Sequence, residues 1–218
     1  MSNKSLYLPE DVYAYLVAHG TPPDDILRGL IHATRQFGED AVMQIAPEQG
    51  AFMTILAKLI GARQAIEIGT FTGYSALCTA RGLSDDGRLI CCDMSEQWTS
   101  VGKPFWKQAG IADKIDLRIG PALDTLAALP QARQFDMAFI DADKVNNLHY
   151  VEALTHLIRP GGVILIDNTL YSGKVADLSD DSENVGDIRA FNDAVAKDDR
   201  FDCVMLPIAD GLTMLRVK

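Results

Sequence analysis

The 218 residues carry 20 Lys and Arg against 30 Asp and Glu, a formal net charge of −10. That balance argues against a sequence-independent grip on phosphate backbones or anionic lipid, and so against nucleic-acid or membrane partners; it favours a small-molecule ligand. With 48% hydrophobic and 23% charged residues, the composition is that of a folded chain long enough to bury one large core.

In chain order, the first 61 residues read as a helical extension. Pro23 before Asp24 and Asp25 marks a helix start, because Pro suits the first turn and acids suit the positive end of the helix dipole. Pro47-Glu48 repeats the signal and leads into Phe52, Ile55, Leu56, Leu59 and Ile60, spaced for one helical face, with Gly61 as the C-cap. Beyond it, β-rich runs at 65–68, 89–93, 115–119, 137–140 and 163–166 alternate with helical stretches, which implies parallel pairing. Runs at 201–206 and 212–217, separated by Ala209-Asp210-Gly211, close the chain as an antiparallel hairpin. The prediction is one domain over 1–218, a doubly wound α/β fold with a mostly parallel seven-stranded sheet, the core spanning 62–218.

No apolar run approaches the ~18 residues of a membrane helix, and Glu10 and Asp11 interrupt the place of a signal peptide's apolar region. Cys78, Cys91, Cys92 and Cys203 contain no C-x-x-C pair and read as reduced core residues, which favours a cytoplasmic protein.

The first strand runs into Gly69-Thr70-Phe71-Thr72-Gly73-Tyr74-Ser75, two glycines four apart that allow a close backbone approach to a ligand. G-x-G-x-x-G does not fit, because Phe71 stands at the middle position and the third glycine is missing, and there is no Walker lysine. A pyrophosphate cradle is therefore disfavoured and a nucleoside-type ligand remains. Asp93, twenty residues past Gly73 at the end of the second strand, is placed to accept from ribose hydroxyls. Glu67, Gly69 and Gly73 together with Asp93 form a pattern of S-adenosylmethionine enzymes; the competing reading is a plain strand-to-helix turn and a solvated strand end.

Two further strands end in acids, Asp141 and Asp167-Asn168. Neighbouring strands lie ~4.8 Å apart, so both carboxylates reach one point above the sheet edge, and their repulsion invites a cation. Two carboxylates and an amide oxygen form a hard donor set, favouring Mg²⁺, Mn²⁺ or Ca²⁺ over zinc. Helix capping by Asp141 and a turn at Asp167-Asn168 are the structural alternative. His19, His32, His149 and His156 show no ligand spacing and read as structural.

With these residues in view, the chain resembles the cation-dependent class I O-methyltransferases of the caffeoyl-CoA and catechol type. Six ordered blocks carry the resemblance: Met43 with Pro47-Glu48-Gln49-Gly50, the Glu67 to Ser75 turn, Gly120-Pro121-Ala122, Phe139 to Lys144, Gly161 to Asn168, and Leu206 to Gly211. The resemblance implies a Rossmann-like fold, with S-adenosyl-L-methionine contacted by Met43, Glu67, Gly69, Ser75, Asp93, Ala122 and Asp141. It further implies a divalent cation, Mg²⁺ first, on Asp141, Asp167 and Asn168, with Lys144 as catalytic base alongside Asp141, and a homodimer. Tyr171, Ser172 and Asn147 depart from residues common in plant members, which bears on the acceptor rather than the reaction. Residues 176–188 hold Asp177, Asp180, Asp181, Glu183 and Asp187 and no Lys or Arg, so, if the segment borders the acceptor entrance, a small uncharged or cationic catechol is favoured over a coenzyme A thioester; the competing reading is a solvated surface loop with no part in selection. A nicotinamide-dependent dehydrogenase and a non-catalytic cofactor-binding protein are the competing classes.

Overall fold

The computed structural model describes residues 8–218, so the first seven residues of the expected 1–61 extension lie outside the described residues. Seven strands form one sheet in the order β3-β2-β1-β4-β5-β7-β6: β1 (Gln64–Ile68), β2 (Arg88–Asp93), β3 (Ile115–Ile119), β4 (Phe135–Ile140), β5 (Ile158–Asp167), β6 (Phe201–Leu206) and β7 (Leu212–Val217). Strands β1 to β5 pair in parallel, and β7 runs antiparallel to both β5 and β6. The chain winds outward from β1 through β2 to β3, then returns to place β4 on the other side of β1. That reversal is the switch point at which open α/β sheets bind ligands beyond the carboxyl ends of their strands.

The helices are α1 (Glu10–His19), α2 (Asp25–Thr34), α3 (Pro47–Leu59), α4 (Tyr74–Gly82), α5 (Glu96–Ser100), α6 (Gly102–Gln108), α7 (Ala122–Ala128), α8 (Asn147–Thr155) and α9 (Glu183–Val195). Because helices cover both faces, the central strands are near-continuous apolar runs. Phe139, Leu165 and Leu89 face Met53, Ala57 and Leu77 on one side. Ile66, Ile140 and Ile166 face Leu126, Val151 and Phe191 on the other. No helix among the described residues is long and apolar enough to cross a membrane.

Four local expectations change. Pro23 precedes the cap rather than opening the helix: Asp24 is the N-cap of α2, its Oδ1 accepting from Leu27 N at 2.9 Å. In α3 the buried side is Gln49, Gly50, Met53 and Ala57, whereas Ile55 and Leu59 are exposed. Close packing of α3 on α4 is the reason, since a Cβ at Gly50 would lie 2.7 Å from Cys78 Sγ and one at Gly82 would lie 2.6 Å from Ala57 Cβ. Strand β5 begins at Ile158 rather than 163, and Cys203 is exposed on β6 rather than in the core.

Candidate active site

The switch point opens into a cleft of about 1180 Å³. Typical small-molecule pockets span ~300–1,000 Å³, so this one has room for two ligands side by side. Met43, Gly69, Ser75, Asp93, Ala122, Asp141, Lys144, Asp167 and Asn168 all line it. Glu67 lies on β1 just behind Gly69 and is fully buried. None of the four histidines is in the lining.

On the β1–β2 side, Asp93 organises the glycine turn. Its Oδ2 accepts from Thr70 N at 2.9 Å and Phe71 N at 2.8 Å, and its Oδ1 accepts from Ser95 N at 2.7 Å. This buried, triply bonded carboxylate is not a solvated strand end. The glycines serve the protein's own packing first. A Cβ at Gly69, whose φ is +86°, would stand 1.9 Å from the Asp141 carbonyl oxygen. At Gly73 it would enter the Trp106 indole, whose Nε1 donates to Gly73 O at 3.0 Å. Phe71 meets Trp98 edge-on at 5.3 Å, and both border the cleft, giving an apolar wall beside Asp93. Burial pushes the Glu67 carboxyl up to about 8, the Ser75 and Thr70 hydroxyls opposing this, and neither of its oxygens makes a hydrogen bond of normal geometry. A fully buried acid in that state is poised for a partner of positive or donor character.

On the β4–β5 side, Lys144 Nζ donates to Asn168 Oδ1 at 2.7 Å and lies 3.5 Å from Asp141 Oδ1. Asp167 Oδ1 accepts from Asn168 N at 2.7 Å. Burial, then the Asp141 charge, pushes Asp167 up to about 7, with Lys144, Gln49 and the Asn168 amide opposing. The strand ends thus bring together the four residues expected there. Among the described residues no three His, Cys, Asp or Glu side chains cluster as a metal set; the grouping here is two carboxylates with an amide oxygen.

Three lining residues escaped the sequence reading as individuals. Gln49 is fully buried with neither amide atom hydrogen-bonded, although its side chain acts on Asp167. Asp210, in the β6–β7 turn, accepts from Ser172 N at 2.6 Å through Oδ1. Burial raises it, opposed by that amide, by the Lys144 charge and by Asn168. Tyr150 donates to Asp143 Oδ1 at 2.6 Å, steadying the loop that carries Lys144. A block position hinted at Gln49 and Asp210, but nothing in the sequence pairs residues so far apart.

Backbone strain concentrates here. Of the six non-glycine residues with positive φ among the described residues, Phe71, Asn168, Tyr171, Ser172 and Ala209 line the cleft, and Arg133 lies elsewhere. Each such conformation costs ~1–3 kcal/mol and persists only where surrounding contacts over-determine it, as at binding sites. The acidic segment contributes less directly than its charge suggested. Tyr171 and Ser172 reach the cleft, but no carboxylate of 176–188 does, and Asp177 and Asp180 cap local turns at Ser179 and Ser182.

Residues 18–218 match the family model described as O-methyltransferase. Caffeoyl-CoA O-methyltransferase 2 of Zea mays is 39% identical over 229 residues, covering 99% of this chain and 86% of that protein. Catechol O-methyltransferase domain-containing protein 1 of Mus musculus is 37% identical over 211 residues, covering 94% and 80%. Among solved structures, an O-methyltransferase from Bacillus cereus in complex with SAH superposes with a TM-score of 0.86 at 34% identity, covering 95% of this chain and 97% of that one.

Proposed function

From the premise that the chain belongs to the O-methyltransferase family, of the caffeoyl-CoA and catechol type, we propose that it transfers a methyl group from S-adenosylmethionine to a phenolic hydroxyl of a small catechol-type acceptor. A divalent cation on Asp141, Asp167 and Asn168 is part of this reading. The observation that carries it is the Lys144 ammonium, drawn to within 2.7 Å of Asn168 Oδ1 and 3.5 Å of Asp141 Oδ1. Oxygen donors that gather a positive charge at the end of two strands suit a hard cation, and the raised Asp167 is short of positive charge. When bound there, such a cation supplies Lewis acidity that lowers the pKa of a phenol beside it.

The methyl donor belongs on the β1–β2 side. The similar Bacillus cereus protein is described in complex with SAH, the demethylated form of that donor. Asp93, pinned by three amides, keeps lone pairs for ribose hydroxyls, and Phe71 and Trp98 offer aromatic area to a base. Met43, Ser75 and Ala122 line the same side, with Glu67 behind Gly69.

A phenol with a pKa near 10 is ionised about one part in a thousand at pH 7, a deficit of roughly 4 kcal/mol in nucleophile. Lys144, once its ammonium has released a proton to water, takes the phenolic proton at Nζ. The phenolate oxygen then attacks the sulfonium methyl carbon. The C–S electron pair stays on sulfur, so the departing thioether is neutral and no general acid is required. Asp141 holds Lys144 in reach, and its own position is fixed by its N–H to Ile68 O at 2.8 Å.

A coenzyme A thioester is the second reading, favoured by the name of the maize relative. Against it stands the charge of 176–188, five acids and no base, which follows the Tyr171–Ser172 wall in the chain and acts at a distance, since none of its carboxylates lines the cleft. The reading also includes a homodimer, to be measured by sedimentation, and a cytoplasmic protein. The test is a comparison of initial rates with S-adenosylmethionine on dopamine, a cationic vicinal diol, on the monophenol tyramine and on caffeoyl-CoA. Methylation of the vicinal diol and not of the monophenol is expected. A strong preference for the thioester overturns the small-acceptor choice, and no transfer to any diol overturns the reading.

A further inference from the structure

Arg189 lies on α9, outside the cleft lining, yet its guanidinium is spent almost entirely on one loop. Nε donates to Val175 O at 3.0 Å, Nη1 to Asp180 O at 2.8 Å, and Nη2 to Lys174 O at 2.9 Å and to Asp177 O. Every other hydrogen bond of 174–180 among the described residues joins residues two or three apart: Asp177 N to Lys174 O, Asp180 N to Asp177 O, and the Ser179 and Ser182 turns. The loop's acids thus shape its local bends, and one planar cation ties those bends to the body of the protein.

The same loop begins at the cleft. Tyr171 and Ser172 form its wall, both with left-handed backbones at φ 43° and 55°. On the cleft side they are held by Asp210, which accepts from Ser172 N at 2.6 Å through its carboxylate and from Leu170 N at 3.0 Å through its carbonyl. From α9, Asn184 Nδ2 reaches Tyr171 OH at 3.4 Å. A strained turn keeps its shape only while both flanks are fixed. Asp210 fixes one flank and Arg189 the other.

We propose that Arg189 is a positioning residue that sets acceptor affinity and selectivity by holding the segment 171–180 against the acceptor side of the cleft. This rests on the proposed methylation of catechols. A guanidinium is suited to the task because its donors fan out in a plane toward several carbonyls, whereas an ammonium concentrates three donors on one atom. The methyl-donor half, built on β1, β2 and α4, makes no contact with this loop through Arg189, so the two halves of the site should separate in kinetics.

The test compares wild type, Arg189→Met and Arg189→Lys in initial rates on dopamine, in calorimetric affinity for S-adenosylhomocysteine, and in limited proteolysis. Arg189→Met is expected to raise the acceptor KM about tenfold or more, with kcat changed less than about threefold, as for lost positioning rather than lost chemistry. S-adenosylhomocysteine affinity should hold and cleavage within 174–182 should quicken, while Arg189→Lys should give a smaller KM rise. An unchanged acceptor KM in Arg189→Met overturns the proposal, as does a parallel loss of acceptor and S-adenosylhomocysteine binding. If the Met variant does not fold, the Lys variant decides by the same KM criterion. If wild type binds S-adenosylhomocysteine but methylates no diol, the functional reading fails. The clamp is then judged by proteolysis, where equal cleavage rates refute it.

Discussion

Alanine at Gly69 should disturb stability and catalysis through a single atom. The new Cβ would sit 1.9 Å from the Asp141 carbonyl oxygen and 2.7 Å from its carbonyl carbon, both backbone atoms, at a φ of +86°. Gly61 has φ +62° with nothing within 4 Å of such a Cβ, so Gly61→Ala isolates the conformational cost, ~1–2 kcal/mol for a left-handed residue. The extra cost at Gly69 is overpacking, typically ~1–3 kcal/mol, so Gly69→Ala should lose ~2–5 kcal/mol in all. Asp141 must move to relieve the contact, and it is bonded to β1 through Asp141 N to Ile68 O. Its carboxylate should therefore leave Lys144, and methyl transfer should fall at least about tenfold. Urea unfolding of both variants at matched slope gives the first quantity, and initial rates give the second. Equal midpoints for the two variants, or full activity in Gly69→Ala, would refute the argument.

Asp93→Asn places an NH₂ where the carboxylate now accepts from three backbone amides, so at least one buried N–H loses its acceptor. It should cost ~1–3 kcal/mol and weaken S-adenosylhomocysteine binding, as read by thermal unfolding and calorimetry; an unchanged affinity removes Asp93 from the donor site. Glu67 carries its proton up to about pH 8 in the folded protein, against 4.5 as the ordinary value. Between those limits the native state holds a proton that the unfolded chain has released, so this group's contribution to stability falls as pH rises through the window and is flat above it. Melting of the ligand-free protein from pH 5 to 8.5 should show a steeper decline for wild type than for Glu67→Gln, and parallel curves would contradict the assignment. Lys144→Ala should cut turnover by about 10²–10⁴ while S-adenosylhomocysteine affinity changes little, and a near-normal rate excludes Lys144 as the base.

Strands were legible where apolar runs end at turn residues: 115–119, 201–206 and 212–217 coincide with β3, β6 and β7. The first five residues of β5 were hidden because Arg159-Pro160-Gly161-Gly162 reads as a turn, yet it continues the strand beside a register shift at Phe135/Met137. In α3 the hydrophobic stripe misled because the contact with α4 selects small side chains, Gly50 and Ala57 against Cys78 and Gly82. Hydrophobic spacing does not report how closely two helices must approach. Asp93, Asp141 and Asp167 were legible because each stands at or just past the end of an apolar strand, and Glu67 because it stands just before the glycine turn. Gln49, Trp106, Asp210 and Arg189 were not, since their partners lie 9 to 118 residues away or are backbone atoms that no side-chain pattern encodes.

The cation is the part of the account on which the acidity of the acceptor depends. Enzyme dialysed against EDTA, then assayed with S-adenosylmethionine and dopamine with and without added Mg²⁺, measures that dependence directly. Transfer is expected to be lost on chelation and to return with Mg²⁺, with S-adenosylhomocysteine still bound by the metal-free protein. Full transfer in the dialysed enzyme would contradict that dependence.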